Sequence, residues 1–269
     1  MPDSTPANQQ PTGTSDQGAA TVYLFVTCLA DLLRPSVAWA ALELLEHAGY
    51  KVVVPTEQTC CGQPAYNSGD YRATIPLAQK VIALLEPADY VVVPSGSCAG
   101  MINHHYPKLL EGDWHDRALG VAAKTLELTT FLEEVAGLQS SPEKHTPLGA
   151  VAYHDSCAGL REMGVRDQPR ALLQRLCEID VRELQQRDTC CGFGGTFCAK
   201  MPEISAKMAD DKLDDAVATG ATVLTGGDLG CLLSLAGRAR RRGIDIEVRH
   251  VAELLAGRLD EPGIAEGEG

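Results

Sequence analysis

The sequence predicts an α/β protein built from two duplicated parallel-sheet halves with pseudo-twofold symmetry, cysteine loops lying at the C-terminal ends of the strands. Three observations predict it. Short apolar segments alternate with amphipathic helical ones along the chain. One cysteine pattern occurs twice at nearly equal spacing. A β-branched stretch running into an amphipathic helix closes each half, as "LELTTFLEEVAG" (126–137) and "IEVRHVAELLAG" (246–257).

In order, "TVYLFVTC" (21–28) reads as a strand, and "SVAWAALELLEHAGY" (36–50) as a helix whose apolar residues recur every three or four positions until Gly49 stops it. "KVVVP" (51–55), a helix over 70–86 and "YVVVPSGSC" (90–98) follow. The second half repeats the order with "GAVAYHDSC" (149–157), a helix over 168–178, "VRELQ" (181–185), a helix over 202–219 and "ATVLTGG" (221–227). Strand-helix alternation implies right-handed βαβ units and a mostly parallel sheet in each half. The expected organisation is a disordered tail over 1–20, a first cysteine-rich half over 21–137, a Pro/Ser/Gly linker over 138–149, a second half over 150–260 and a flexible C-terminus over 261–269.

The chain has ten cysteines. Eight of them superpose when the halves are overlaid: Cys28 on Cys157, Cys60 and Cys61 on Cys190 and Cys191, and Cys98 on Cys231. Thirty-one residues separate Cys28 from Cys60 and thirty-two separate Cys157 from Cys190; thirty-six follow Cys61 before Cys98, and thirty-nine follow Cys191 before Cys231. Cys28, Cys98 and Cys157 are expected at strand ends, and the doubled cysteines and Cys231 in loops beyond strands. That edge of a parallel sheet is where α/β proteins bind ligands, because helices begin there with unpaired N–H groups.

Four thiols per half suit Zn(II) or an iron–sulfur cluster, since both hold thiols deprotonated. Paired C-x-x-C knuckles, the usual zinc pattern, are absent. A cluster is larger and accepts ligands from several loops, while helix N-termini and glycine N–H groups offset its negative charge; the glycines of "CCGFGG", Gly192 foremost, and Gly62 of the first "CCG" allow that approach. Zinc in one or both halves, a vicinal disulfide and simple packing of buried thiols are the alternatives. His154 and Asp155, just ahead of Cys157, are candidates to hydrogen-bond to a cluster or to cap the following turn. Cys198 has no partner in the first half and is a further candidate ligand or a bystander. Cys177 shares a helical face with Leu172, Leu173 and Leu176 and reads as core.

These residues resemble a family. C-x31-CCG-x35-C and its second copy C-x32-CCG-x38-C are similar to the cysteine-rich CCG domains of heterodisulfide reductase, of the iron–sulfur subunits of glycolate oxidase and anaerobic glycerol-3-phosphate dehydrogenase, and of the lactate utilization A proteins. "YHDSCAGLREMGV" (153–165), "CCGFGGTFCAKMPEIS" (190–205) and "CCGQPAYNSGD" (60–70) look most like the last group. The resemblance implies an iron–sulfur electron-transfer subunit, with one or two clusters of the [4Fe-4S] type, in an L-lactate-oxidising complex. It implies two partners, a ferredoxin-like iron–sulfur subunit of the lactate utilization B type and a third subunit of the C type, and a redox component rather than a stand-alone catalyst. The heterodisulfide reductase pattern ends each motif with C-x-x-C; here Met101 and Ser234 take the last positions, which counts against that enzyme's thiol/disulfide chemistry, kept as an alternative beside a zinc-stabilised scaffold.

The net charge of −13 argues against nucleic-acid or anionic-membrane binding. The one basic cluster, Arg238, Arg240, Arg241 and Arg242, reads as a solvated helix end or a docking patch for an acidic partner. His104 and His105 read as exposed polar residues. No signal sequence and no apolar run of bilayer length are seen, so a cytoplasmic protein is expected. No catalytic triad, Walker loop or dinucleotide fingerprint is present, and no catalytic residue is assigned.

Overall fold

The computed structural model describes residues 20–143 and 148–266. The expected tail lies outside the described residues except for residue 20, as do 144–147 of the expected linker. The first half holds a parallel sheet of β1 (Thr21–Leu24), β2 (Lys51–Val53), β3 (Tyr90–Val93) and β4 (Thr125–Glu127) in the order β2-β1-β3-β4. The second holds β5 (Val151–His154), β6 (Val223–Gly226) and β7 (Glu247–His250) in the order β5-β6-β7, also parallel. An α/β fold of two parallel-sheet halves is therefore what the chain adopts.

The registers match. Val22 pairs with Tyr90 and Val151 with Val223, eight residues before Cys98 and Cys231 respectively. The place of β2 is taken in the second half by a single bridge between Ala152 and Arg182. The strand expected over 181–185 is thus reduced to one residue pair, with Gln185 and Gln186 donating their backbone N–H groups to Asp215 instead of to a neighbouring strand.

A second correction concerns the cysteines themselves. Cys28, Cys98 and Cys157 do not close strands, and Cys231 is not in a loop. Each sits in the first turn of a helix: Cys28–Leu33, Gly96–Gly100, Cys157–Arg161 and Leu229–Arg242. In three of these the residue before the first turn is a hydroxyl N-cap. Thr27 Oγ1 accepts from the Ala30 N–H at 3.4 Å, Ser95 Oγ from the Cys98 N–H at 3.3 Å, and Ser156 Oγ from the Gly159 N–H at 3.2 Å.

The halves share one continuous core. Leu44 and Leu45, on the Pro35–His47 helix, pack in the same cluster as Leu254 and Leu255 on Val251–Ala256, and all are essentially inaccessible. Each such side chain contributes about 1.5–3 kcal/mol by burial. The junction also pairs equivalent elements crosswise: the Cys98 helix packs on the Cys157 helix, and the Cys231 helix on the Cys28 helix. At the first crossing a Cβ on Gly96 would lie 2.5 Å from Gly159 Cα, so only glycine permits the approach. Ser95 and Asp228, equivalent in the overlay, bond to each other at 3.3 Å.

The C-terminus expected to be flexible from 261 is docked through the described residues to 266, with Ile264 buried and its N–H donating to Val248 O at 2.8 Å. Two arginines of the basic helix end are paired within the chain: Arg238 makes a bidentate pair with Asp210 at 2.7 Å, and Arg242 reaches Asp214 at 2.7 Å. His104 and His105 are half-buried and engage Glu162 through its carbonyl at 2.8 Å and its carboxylate at 3.3 Å.

Glu127 ends β4 and caps the helix that follows. Its Oε2 accepts from Thr129 N, Thr129 Oγ1 and Thr130 N, while Oε1 has no partner. Burial is the main cause that pushes its carboxyl up to about 7, against the pull of those donors. The unfolded chain therefore loses its proton first as pH rises, and folded stability falls between the ordinary glutamate range and about 7. Glu127→Gln keeps the accepting oxygen and removes this loss. It is expected to leave the melting midpoint unchanged at pH 5 and raise it at pH 8 by roughly 4–8 °C, corresponding to about 2 kcal/mol; equal shifts at both pH values would refute the assignment.

Candidate metal centre

The fold gathers the eight repeated cysteines into two sets of four. In the first half the sulfurs of Cys61 and Cys98 lie 3.3 Å apart. Its close contacts with Cys28 and Cys61 hold Cys60 far below the usual thiol range, while the same contacts and burial push Cys28 and Cys61 up. The second half repeats this. Close contacts with Cys157 and Cys191 hold Cys190 low, while Cys157, Cys191 and the buried Cys231 are raised. Close sulfurs disfavour one another's ionisation, and a cation among them would relieve that repulsion.

The glycine of each CCG motif has two functions. Gly62 and Gly192 adopt φ of +84° and +85°, closed to most residues, and their N–H groups donate to Cys60 Sγ at 3.4 Å and Cys190 Sγ at 3.3 Å. A Cβ on Gly192 would stand 2.7 Å from Ser205 O, so the second turn has no room for one. The Phe193 N–H adds a bond to Cys191 Sγ at 3.5 Å. These are the donors that offset anionic sulfur.

A cavity of about 180 Å³ is lined by all four cysteines of the first set. Its far wall comes from the other half, with Phe193, Gly195 and Thr196 from the loop after the second CC pair and Gly230 beside Cys231. Phe193 lies flat enough against Gly230 that a Cβ there would be 2.5 Å from the ring, and Thr196 Oγ1 bonds Ser68 Oγ at 3.1 Å. Soft donors, room at their centre and backbone N–H groups aimed at sulfur together fit a bound metal group. Cys198 braces this loop by donating from Sγ to Gly195 O at 3.2 Å. Cys177 is remote from both sets; its thiol donates to Leu254 O at 3.6 Å, and burial pushes it up to about 12.

The sets are not identical. Phe25 is the first-half equivalent of His154, and His154 is buried with neither ring nitrogen bonded among the described residues. A nitrogen of His154 and the sulfurs of Cys191 and Cys231 all lie within 4.8 Å of one another. Burial lowers His154 to about 3, so the imidazole there is neutral and one nitrogen has a lone pair. Asp155 is turned away from the sulfurs. Arg170 holds both of its oxygens, at 2.9 and 2.8 Å. Sequence reasoning missed Tyr106, a buried residue whose hydroxyl donates to Cys61 O at 2.7 Å and fixes the first CC turn, and Asp228, which accepts from the Ser97 N–H at 2.9 Å across the junction. Nothing but the overlay of Asp228 on Ser95 could have pointed to the second.

Comparison with known proteins agrees with this architecture. The model of the CCG cysteine-rich domain matches twice, at residues 22–103 and 151–236. Lactate utilization protein A 2 of Bacillus cereus is 41% identical over 242 residues, covering 89% of this chain and 99% of that one. Lactate utilization protein A of Halalkalibacterium halodurans is 46% identical over 237 residues, covering 87% and 96%. Among solved structures, a putative Asp/Glu racemase from Yersinia pestis aligns at 12% identity and a TM-score of 0.34 over 89% of this chain and 96% of that chain, too weak an overlap to assign anything. With the domain found in both halves and two relatives matched over nearly their whole length, the chain belongs to the CCG cysteine-rich domain family, on the branch of the lactate utilization A proteins.

Proposed function

We propose that this protein takes part in L-lactate utilisation as an iron–sulfur electron-transfer subunit, each half holding a [4Fe-4S] cluster on its four repeated cysteines. The observation that carries the reading is the pair of four-thiol sets placed at one junction, with the first set's cavity walled by the second half. The relatives' names supply the substrate. Cys28, Cys60, Cys61 and Cys98 would hold one cluster, and Cys157, Cys190, Cys191 and Cys231 the other. A cluster supplies reversible one-electron storage. The chain's own residues do the rest: Gly62, Gly192 and Phe193 donate N–H groups to sulfur, the N-capped helices orient Cys28, Cys98 and Cys157, and Phe193 and Thr196 wall the first cavity. No residue is assigned to bond-making on lactate, which fits a redox component working with a ferredoxin-like subunit of the B type and a third of the C type, in the cytoplasm. No helix among the described residues is long and apolar enough to cross a membrane.

A second reading is favoured by His154. Its nitrogen with the sulfurs of Cys191 and Cys231 spans a space that one Zn(II) ion would fill. Anaerobic purification followed by iron, zinc and acid-labile sulfide analysis with EPR separates the two. Iron and sulfide at about four each per occupied half, with an EPR signal on reduction, is the expected result. Stoichiometric zinc without sulfide would overturn the electron-transfer reading.

A further inference from the structure

A cavity of about 670 Å³ opens beside the first cysteine set, and Cys28 and Cys60 line both it and the smaller cavity at the centre of that set. Its walls are mostly apolar, with Val26 just beyond β1, Leu42 and Ala38 from the Pro35–His47 helix, Val54 after β2, and Leu32 and Trp39, while Asp31, Thr56, Gln58 and Thr59 add polar groups. Leu32 is 77% exposed and Trp39 55%, a costly arrangement for large apolar side chains unless something covers them.

The duplication provides an internal control. Val26 overlays Asp155 and, by the strand register, Val54 overlays Glu183. In the second half those two acids are joined by Arg170, which bonds Asp155 at 2.9 and 2.8 Å and Glu183 at 2.5 and 2.8 Å, with Arg187 reaching Asp155 at 3.7 Å. The same position in the fold is thus plugged with charge beside one set and left open and apolar beside the other. The opening is a property of this half, not of the fold.

The lining chooses the ligand. Among the described residues, no lysine, arginine or histidine lines the cavity, and the one charged residue that does is Asp31. A phosphate-bearing flavin or nicotinamide, or a carboxylate such as lactate itself, finds no cation there and one repelling carboxylate. A neutral, flat, apolar molecule finds an indole, aliphatic walls and the hydroxyl-bearing Thr56 and Thr59 as donors to carbonyl oxygen. We propose that this cavity binds a neutral quinone ring, seated beside Cys28 and Cys60.

The site stands on its own geometry; its use as an electron acceptor rests on the iron–sulfur reading above. The balance is closed: a 2-hydroxy acid becoming a 2-oxo acid releases two electrons and two protons, and a quinone becoming a quinol takes up two of each; a cluster held by the cysteines would supply the one-electron relay, and the protons exchange with water.

The chain has two tryptophans, so Trp114→Phe leaves Trp39 as the only indole. Titration of that variant, anaerobically and as purified, with menadione is expected to quench Trp39 fluorescence saturably at one equivalent. Adding Ala38→Phe, which fills the cavity, or Val54→Glu, which charges it, is expected to weaken binding at least tenfold, with circular dichroism unchanged. FMN and L-lactate are expected to give no saturable quench. A linear, unsaturable quench by menadione, as when a partner protein's side chain is the true occupant, would overturn the proposal. So would saturable binding untouched by either cavity variant, or preferential binding of FMN. Absence of binding in protein whose EPR shows clusters defeats this inference alone, whereas binding in protein that carries only zinc leaves the site standing and defeats the electron-transfer reading.

Discussion

Cys190→Ser is expected to remove the metal group of the second half, with iron and sulfide falling by about half in protein that holds both clusters, while Cys177→Ser leaves both intact. The contrast is sharp because the two thiols are equally cysteine and differently placed. Cys190 contacts the Cys157 and Cys191 thiols and accepts from the Gly192 N–H at 3.3 Å. A serine hydroxyl there is a harder and weaker ligand, and stays protonated where a thiolate is needed. Cys177 lies under the Val251–Ala256 helix, bonded to Leu254 O, with burial holding it as a neutral thiol up to about 12. Serine at 177 is expected to cost no more than about 1–2 kcal/mol of stability and no metal. Comparable loss of iron from both variants would break the ligand assignment, and loss from Cys177→Ser alone would invert it. Because Phe193 and Gly230 of the second half wall the first cavity, Cys190→Ser is also expected to alter the EPR signal of the remaining cluster, which a mere sum of independent halves would not do.

The doubled cysteine spacing made the two sets legible without any structure, because metal ligands must meet in space and the duplication kept their separations. The backbone around them was less legible. "TVYLFVTC" reads as one apolar strand through the cysteine, yet β1 stops at Leu24 and the chain turns into a helix at Thr27. The hydroxyl residue just before Cys28 and Cys157, and three before Cys98, was the available signal for an N-cap. At 181–185 alternation pointed to a strand, but alternation says nothing of which partner a backbone N–H will take, and those of Gln185 and Gln186 go to the Asp215 carboxylate. The cavity beside Cys28 was beyond sequence reasoning for a different reason. It consists of what is missing, namely the charges that fill its counterpart, and it becomes visible only when Val26 and Val54 are set against Asp155 and Glu183.

Arg170→Ala is expected to destabilise the protein by about 3–5 kcal/mol, the largest single loss outside the cysteine sets. Asp155 has no side-chain exposure, and Arg170, itself 14% exposed, supplies both of its close charged bonds. Removing the guanidinium leaves a buried carboxylate whose nearest cation is Arg187 at 3.7 Å. Glu183 is 42% exposed and can turn to water, so its share of the loss is small. Arg170 also lies over the Tyr153 ring at 4.9 Å, and that contact goes too. The first half shows that the position needs no ion pair, since Val26 stands there. Asp155→Val combined with Arg170→Leu is therefore expected to recover all but about 1–2 kcal/mol, because the buried charge leaves together with its partner. Urea midpoints at constant slope measure both variants. If Arg170→Ala costs under about 1 kcal/mol, water reaches Asp155 and the pair is not a plug. If the double variant is as unstable as the single, the side-chain shapes rather than the charges hold the second half closed where the first stands open.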